Sequence, residues 1–335
     1  MIDSSFSQTA ASRQAVRLGV LDVGSNTVNL VVTTADSGLP LPVHTWEGRP
    51  RLGQRLEPDG AISEDGLRRM ITAVRRAAAD AEAAKVDRLF AYTTAVVRDA
   101  PNCDWVLDRV QEATGIRLGT LSGVEDAQLT FLAARRWLGW QAGPMLMLDI
   151  GGGCLEVAFG RDRLPESAMS LPLGAGRLTR ELLDGDPPSA RSVRRLRRHV
   201  REQFHQVAAR TSWEAPQTSV AASKTFQQLA RLTGAAPLRQ GPFVPRLLRA
   251  HALKPWIRKL AGIPSEHRSR YPGISEHRAR QILAGAIVAY EVMRRLGVES
   301  VWICPWGLRE GIMLRELELR QPPLDNASWV PWPPA

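Results

Sequence analysis

Two apolar runs with the same polar ending stand at different places in the chain. Residues 18–22 read LGVLD and residues 145–149 read MLMLD, and each run is followed by a glycine-rich turn and a second strand-like stretch (28–33 and 154–159). Short apolar runs bounded by turn residues are typical of buried strands. Because the hairpin pattern occurs twice, about one small domain apart, we expect an internal duplication whose two turns face one cleft.

The segments around the hairpins alternate between helical and strand-like patterns. Ser63 and Asn102 can cap helices, Ser122 enters a third that ends near Trp140, and a later helix is predicted from Ala279 to Leu296. The other predicted strands are residues 88–93, 116–121, 168–171, 220–222 and 300–303. This order predicts an α/β fold with mixed β-sheets flanked by helices.

The length of 335 residues fits two domains. We predict a disordered N-terminal extension over residues 1–14 and domain I over residues 15–127, which contains the first turn. Domain II, with the second turn, is predicted over residues 128–318, and a Pro-rich tail over residues 319–335.

Composition excludes several classes of protein. The three cysteines are far apart, in neither a disulfide nor a metal-ligand spacing, which favours a reducing compartment. No apolar run approaches the roughly twenty residues of a membrane-spanning helix. No helix-turn-helix, zinc-finger or RNP-like pattern is present. We therefore expect a cytoplasmic globular protein without a specific nucleic-acid or membrane partner.

The formal net charge of +10 raises the question of an anionic partner. The densest basic run predicts one helix whose arginines lie away from its apolar stripe, namely Arg191, Arg194, Arg195, Arg197, Arg198 and Arg201. These side chains form either a polyanion-binding surface or an ordinary solvated helix face.

The two turns carry the chemistry that the sequence predicts most clearly. Glycine lets backbone N–H groups approach a ligand, and consecutive N–H groups form a concavity that suits phosphate oxygens. Asp22 and Asp149 end the two strands, and Glu156 stands on the opposite arm of the second hairpin. These carboxylates can hold a hard cation such as Mg²⁺, with Mn²⁺ as the alternative. Two such turns facing each other predict a phosphoryl-transfer site.

Six motifs occur in order between residues 16 and 315. They are residues 22–27 (DVGSNT), 94–98 (TAVVR), 122–127 (SGVEDA), 149–156 (DIGGGCLE), 222–225 (ASKT) and 307–311 (GLREG). Together they resemble the exopolyphosphatase and guanosine-pentaphosphate phosphohydrolase (Ppx/GppA) family, in particular its short two-domain actinobacterial members. The resemblance implies two actin-like domains, as in acetate and sugar kinases, actin and heat-shock chaperones, with the active site between them. It also makes a homodimer an expectation.

The resemblance implies a set of phosphate-binding residues on both sides of the cleft. One side would be Gly24, Ser25, Asn26 and Thr27, and the other Gly151, Gly152, Gly153 and Cys154. Arg98 would neutralise charge on phosphate oxygens, since its fork of donors suits phosphate. Ser223, Lys224 and Thr225, at a predicted helix start, would offer backbone N–H groups as a further anchor.

The catalytic base of the family is a glutamate at the end of the first domain, and this chain departs from that pattern. Asp126 stands immediately before Ala127, and Glu125 one position earlier. Position favours Asp126 and side-chain length favours Glu125. The ordinary alternative is that both belong to the acidic first turn of a helix.

The predicted function is Mg²⁺-dependent hydrolysis of the terminal phosphate of inorganic polyphosphate by a carboxylate-activated water. One alternative is the removal of the 5′-terminal phosphate of guanosine pentaphosphate at the same site. A second is a catalytically weakened protein that binds polyphosphate.

Overall fold

The computed structural model describes residues 16–35, 39–208 and 214–320. The predicted extension over residues 1–14 lies outside these ranges, as do residues 321–335 of the predicted tail. Leu319 and Arg320 belong to the last helix. The described chain forms two mixed sheets flanked by helices, as the order of its patterns predicts.

The first sheet is built around the N-terminal hairpin. Its strands are β1 (Arg17–Val23), β2 (Val28–Thr34), β3 (His44–Gly48), β4 (Arg88–Thr93) and β5 (Gly119–Thr120). They stand in the order β3-β2-β1-β4-β5. β1 pairs antiparallel with β2 and parallel with β4. The strand predicted over residues 116–121 is wrong in length, because only two residues pair with β4.

Helices α1 (Glu64–Ala83), α2 (Ala95–Arg98) and α3 (Cys103–Thr114) belong to this half. Ser63 caps α1 as predicted, since its hydroxyl accepts the N–H of Gly66 at 3.1 Å. Asn102 does not cap α3. Its amide instead exchanges hydrogen bonds of 2.9 and 3.0 Å with the backbone of Ile62, which is forty residues away in the sequence.

The second sheet repeats the central pairing of the first. Its strands are β6 (Met145–Ile150), β7 (Leu155–Gly160), β8 (Ser167–Leu171), β9 (Thr218–Ala221), β10 (Leu247–Arg249) and β11 (Ser300–Ile303). They stand in the order β10-β11-β9-β6-β7-β8. β6 pairs antiparallel with β7 and parallel with β9, as β1 does with β2 and β4. This common pairing is what an internal duplication predicts.

Six of the described α-helices lie between β8 and β11 in the chain. They are α5 (Ala175–Leu182), α6 (Ala190–Ala208), α7 (Lys224–Leu232), α8 (Ala250–Ala261), α9 (Ser265–Arg268) and α10 (Ile282–Arg295). Helix α10 is buried on all sides from Ile282 to Met293, because α5, α6, α7 and α8 pack around it. It corresponds to the helix predicted from Ala279 to Leu296.

Two helices connect the halves. Helix α4 (Gly123–Leu138) begins beside β5 and packs on β6, β7 and β8, and helix α11 (Leu308–Arg320) packs on α4 and β1. The approach of α11 to α4 is close, since a Cβ at Gly311 would overlap the carbonyl of Leu129. The boundary predicted after residue 127 falls inside α4. The two sheets therefore share a helical connection at the base of the cleft.

Two general features follow from the described residues. None of the helices there is both long and apolar enough to cross a bilayer. All three cysteines are free thiols.

Candidate active site

The two glycine-rich turns have the same internal hydrogen bond. The N–H of Gly24 donates to the carbonyl of Thr27 at 2.9 Å, and the N–H of Gly151 donates to the carbonyl of Cys154 at 2.9 Å. Equal spacing in the sequence thus gives equal backbone geometry.

The tips of both turns present unused donors. Among the described residues, the N–H groups of Ser25, Asn26, Gly152 and Gly153 donate to no protein group. Successive free N–H groups form a concave site for an anion. Each turn therefore offers the chemistry of a phosphate-binding loop.

The two turns face each other at close range. A Cβ added to Gly152 would lie 2.7 Å from the Cβ of Ser25 and 2.9 Å from its Oγ. A Cβ added to Gly153 would lie 2.9 Å from that of Ala95, in the first half of the chain. Only glycine fits at these positions, because real Cβ atoms do not approach so closely. The duplicated turns thus form opposite walls of one cleft.

The second turn is held from behind by the start of α5. The carbonyls of Gly151 and Gly152 accept the N–H groups of Ala175 and Arg177 at 3.0 and 2.9 Å. The carbonyl of Gly153 likewise accepts the N–H of Gly174 at 3.2 Å. With its carbonyls fixed in this way, the turn is rigid before any ligand arrives.

A cavity of about 590 Å³, which we call the cleft cavity, extends from the two turns into the second half of the chain. The predicted phosphate-binding residues that line it are Gly24, Ser25, Asn26, Thr27, Gly151, Gly152 and Lys224. Asp22, Asp126, Asp149 and Glu156 also line it, so the cavity brings together four carboxylates from three separate parts of the sequence.

Burial raises the pKa values of all four carboxylates, and the charge of another member of the cluster raises three of them further. Burial, together with the charge of Asp22, raises the pKa of Asp126 to about 7. Burial and the charge of Asp126 raise the pKa of Asp149 to about 8. Burial is also the main cause of the raised pKa values of Asp22 and Glu156. Such a cluster is most stable when it retains protons or binds a cation.

The structure separates the two candidate bases. The carboxylate of Glu125 accepts the N–H of Ser122 at 2.8 Å, and the Ser122 hydroxyl accepts the N–H of Glu125 at 3.2 Å. This reciprocal capping box holds the side chain of Glu125 at the N-terminus of α4, and Glu125 does not line the cleft cavity. Asp126 faces the cavity, and the hydroxyl of Thr130 donates to its Oδ1 at 3.3 Å.

The predicted metal set does not form a three-ligand site. In the part of the chain that the structure describes, no three or more His, Cys, Asp or Glu residues are arranged to hold a metal ion. Glu156 instead accepts a hydrogen bond of 2.9 Å from Ser170. Asp22 does fit a cation, because its Oδ1 is buried without a hydrogen-bond partner. Mg²⁺ usually takes one or two carboxylates and completes its shell with phosphate and water. Asp22 and Asp149 suit that coordination.

Several predicted residues are not part of the cavity lining. Arg98 donates to Asp99 at 2.9 Å and to the carbonyl of Leu121 at 3.0 Å, and it reaches the Sγ of Cys154 at 3.8 Å. The predicted phosphate-binding residues that do not line the cleft cavity are Arg98, Gly153, Cys154, Ser223 and Thr225.

Ser223 supports the cavity wall. Its Oγ accepts the N–H groups of Ile150 and Phe226 at 3.2 and 3.3 Å, and its hydroxyl contacts Asp149. The residue therefore fixes α7 to the end of β6 and orients a carboxylate of the cavity.

The sequence did not indicate most of the cationic lining. Arg231, Arg246, Arg278 and Arg309 all line the cleft cavity, as do Glu47 near the end of β3 and Arg49 just after that strand. Arg309 lies inside the motif at residues 307–311, and its position could have been noticed. Arg246 and Arg278 stand in no motif, so only folding brings them to the site.

The arginines of α6 divide into two groups. Arg197 and Arg201 donate to the buried carboxylate of Glu291 on α10, at 2.9 and 2.7 Å. The others, Arg191, Arg194, Arg195 and Arg198, line a surface hollow of about 630 Å³ that is separate from the cleft cavity. Arg197 and Arg201 thus have a structural contact. Among the outer four, Arg195 pairs with Asp184 at 3.2 Å and Arg198 with Glu202 at 3.8 Å, and the four remain a candidate anion surface.

Comparison with known proteins adds four findings. The model of the Ppx/GppA phosphatase family matches residues 31–320. Exopolyphosphatase 1 of Mycobacterium tuberculosis is 47% identical over 90% of this chain and 89% of its own length. An uncharacterised protein of Streptomyces coelicolor is 51% identical over 94% of this chain and 92% of its own. The crystal structure of the Aquifex aeolicus Ppx/GppA protein superposes with a TM-score of 0.76 at 25% identity, covering 92% of this chain and 99% of that one.

Proposed function

Because the chain belongs to the Ppx/GppA phosphatase family, we propose that it is an exopolyphosphatase, which releases the terminal phosphate of inorganic polyphosphate. The family makes the chain a phosphoanhydride hydrolase, and the prediction of two actin-like domains is confirmed. What carries the proposal is the approach of Gly152 to Ser25, which brings free N–H groups of both turns to one cavity.

The charges of the cleft cavity support a chain of phosphates as the ligand. Lys224, Arg231, Arg278 and Arg309 line the cavity together with the carboxylates. Arg246 lines it too, although its guanidinium donates to four backbone carbonyls. Burial lowers the pKa values of Lys224 and Arg278, so both cations are held in a poorly solvated place. A polyanion bound in the cavity would neutralise the charges of these two side chains. In this proposal the terminal phosphate lies at the two turns and the following phosphates lie along the cationic lining of the cavity.

The lining disfavours a nucleotide. Among the described residues around the cleft cavity there is no Phe, Trp or Tyr side chain to stack on a base, and His277 is the only aromatic ring. Guanosine pentaphosphate would place a purine along this lining. Polyphosphate needs only the cations and backbone donors that are present.

Asp126 activates the attacking water in this proposal. It stands beside the turns, and its pKa of about 7 is suited to a base that works near neutral pH. In the ionised form its carboxylate accepts a proton of a water directed at the terminal phosphorus. The P–O bond to the next phosphate breaks, and the free N–H groups of the turns stabilise the charge on the transferred group.

Mg²⁺, or Mn²⁺ in its place, would be held by Asp22 and Asp149 and would neutralise charge on phosphate oxygens when bound. Ser223 holds Asp149 in position through its hydroxyl. Because the protein would supply only one or two carboxylates to the ion, we expect the ion to bind tightly only when phosphate oxygens complete its coordination shell.

A phosphate-release assay with Mg²⁺ tests the proposal. Purified protein is incubated with polyphosphates of several lengths and with guanosine pentaphosphate. We expect orthophosphate from polyphosphate and far less from the nucleotide. Release from the nucleotide alone would reassign the substrate. Tight binding of polyphosphate without release would identify a binding protein in place of an enzyme.

A further inference from the structure

A second cavity lies on the other side of the first turn. This rear cavity has a volume of about 390 Å³ and shares Ser25, Asn26 and His277 with the cleft cavity. Its other walls come from the loop at Gly53, the helix α5 and the segment that leads into α10. The side chain of Ser25 stands between the two cavities, because it contacts the Cβ position of Gly53 on one side and that of Gly152 on the other.

The rear cavity differs in charge from the cleft cavity. None of the described residues that line it is Asp or Glu, whereas five carboxylates line the cleft cavity. Arg180 and Arg280 both line it. Arg180, which is exposed, donates to the carbonyl of Gly53 at 3.2 Å and lies 3.7 Å from a carboxylate oxygen of Glu181. Arg280 is exposed, and in the described part of the chain its guanidinium has no hydrogen-bond or ion-pair partner. The charge of the lining thus favours an anion.

Gln281 gives independent evidence of a ligand. Its side chain lines the rear cavity and is 8% exposed, and its Nε2 is buried without a hydrogen-bond partner. Buried donors are nearly always paired in native proteins. Gln281 is also the N-cap of the 14-residue helix α10, so the positive end of that helix lies at the same wall. An unpaired amide, a free guanidinium and a helix N-terminus therefore meet around one space.

We propose that the rear cavity binds orthophosphate, and that it receives the phosphate released at the turns. The second part rests on the proposed function. The shortened polyphosphate still fills the cleft cavity after hydrolysis, so the product cannot leave on that side while the chain stays bound. Ser25 and Asn26 hold the terminal phosphate and also line the rear cavity, which gives the product a short path between the two.

Phosphate binding to a protein whose cleft is filled tests the proposal directly. Asp126→Asn protein is first saturated with polyphosphate, and inorganic phosphate is then titrated by calorimetry. We expect one phosphate to bind. Either Arg280→Ala or Gln281→Leu should weaken that binding about tenfold, the effect of losing a charged or buried hydrogen bond. Arg280→Lys should restore most of it, and Arg258→Ala, which removes an exposed arginine that lines neither cavity, should not change it.

Inhibition of the active enzyme provides the second readout. Phosphate should inhibit polyphosphate hydrolysis non-competitively, so that added polyphosphate does not relieve the inhibition. Arg280→Ala should raise the inhibition constant of phosphate about tenfold. No binding to the filled protein, equal affinities in all variants, or purely competitive inhibition would each overturn the proposal. Thermal melting confirms that the variants are folded. Phosphate can also be titrated into the protein without polyphosphate, a measurement that needs no turnover. If the protein proves inactive and Arg280→Ala or Gln281→Leu still weakens phosphate binding in this titration, the anion site is supported and only the proposed function is refuted.

Discussion

Replacement of Gly152 by alanine tests whether the two turns must approach as closely as the structure shows. The new Cβ would lie 2.7 Å from the Cβ of Ser25, while carbon atoms in contact are separated by about 3.7 Å. The second turn cannot retreat, because three of its carbonyls accept backbone hydrogen bonds from residues 174–177. The first turn is backed by Gly53, whose N–H donates to the carbonyl of Ser25 at 2.9 Å. The two halves must therefore separate by about 1 Å.

A displacement of about 1 Å at a catalytic group costs about a hundredfold in rate, which corresponds to about 2.7 kcal/mol. We expect Gly152→Ala to lower kcat/KM for polyphosphate by about that factor, measured by phosphate release. Gly151→Ala is the matched control, because its Cβ would meet only Cys154 of its own turn, at 3.5 Å. It should lose much less.

A double-mutant cycle separates crowding from other causes. Ser25→Gly removes the atoms that the new methyl group meets, so Gly152→Ala should cost less in that background than in the wild type. Additive effects, or a Gly152→Ala enzyme as active as the wild type, would refute the close approach of the turns.

Three further outcomes follow from the structure. Since Asp126 must be ionised to act and its pKa without metal is about 7, kcat measured with Mg²⁺ should fall as the pH drops, along a limb that lies below pH 7 because the bound cation favours the ionised carboxylate. Above pH 4 the unfolded chain has lost the protons of Asp126 and Asp149, whereas the folded protein keeps them up to about pH 7 to 8. Thermal melting of the metal-free protein should therefore show stability falling as the pH rises from about 4 to about 8. Stability that rises over this range would contradict the raised pKa values. Burial opposes the ionisation of Glu291, yet hydrogen bonds from Arg201 and Arg197 keep its pKa lowered, so Glu291→Gln should reduce the free energy of unfolding by about 2 kcal/mol without changing kcat.

The hairpins and long helices could be predicted because their signals are local. Each strand of the two hairpins is a short apolar run beside a glycine turn, and α10 is an apolar segment longer than a strand. The edge strands β5 and β10 were missed or misplaced because two or three residues pair there, and pairing depends on the neighbouring strand. Asn102 shows the same limit, since Ile62 competes for its amide from forty residues away.

The candidate site was predictable where a motif holds its residues together. The turns and their aspartates lie within a few positions of one another, so the sequence alone placed them. Arg246 and Arg278 reach the cleft cavity only through the packing of the second half, and no sequence motif predicts their positions. The choice between Glu125 and Asp126 depended on a capping box, which decides the direction of each side chain within the first turn of α4.

Phosphate release by Asp126→Asn and Glu125→Gln proteins, measured side by side with the wild type on polyphosphate, tests the central claim most directly. We predict that Asp126→Asn loses at least about a hundredfold in kcat, as expected when a general base is removed, while it still binds polyphosphate. Glu125→Gln should stay within about threefold, because its carboxylate only caps α4. The opposite result, with Asp126→Asn active and Glu125→Gln inactive, would contradict the assignment of the base and of the water it activates.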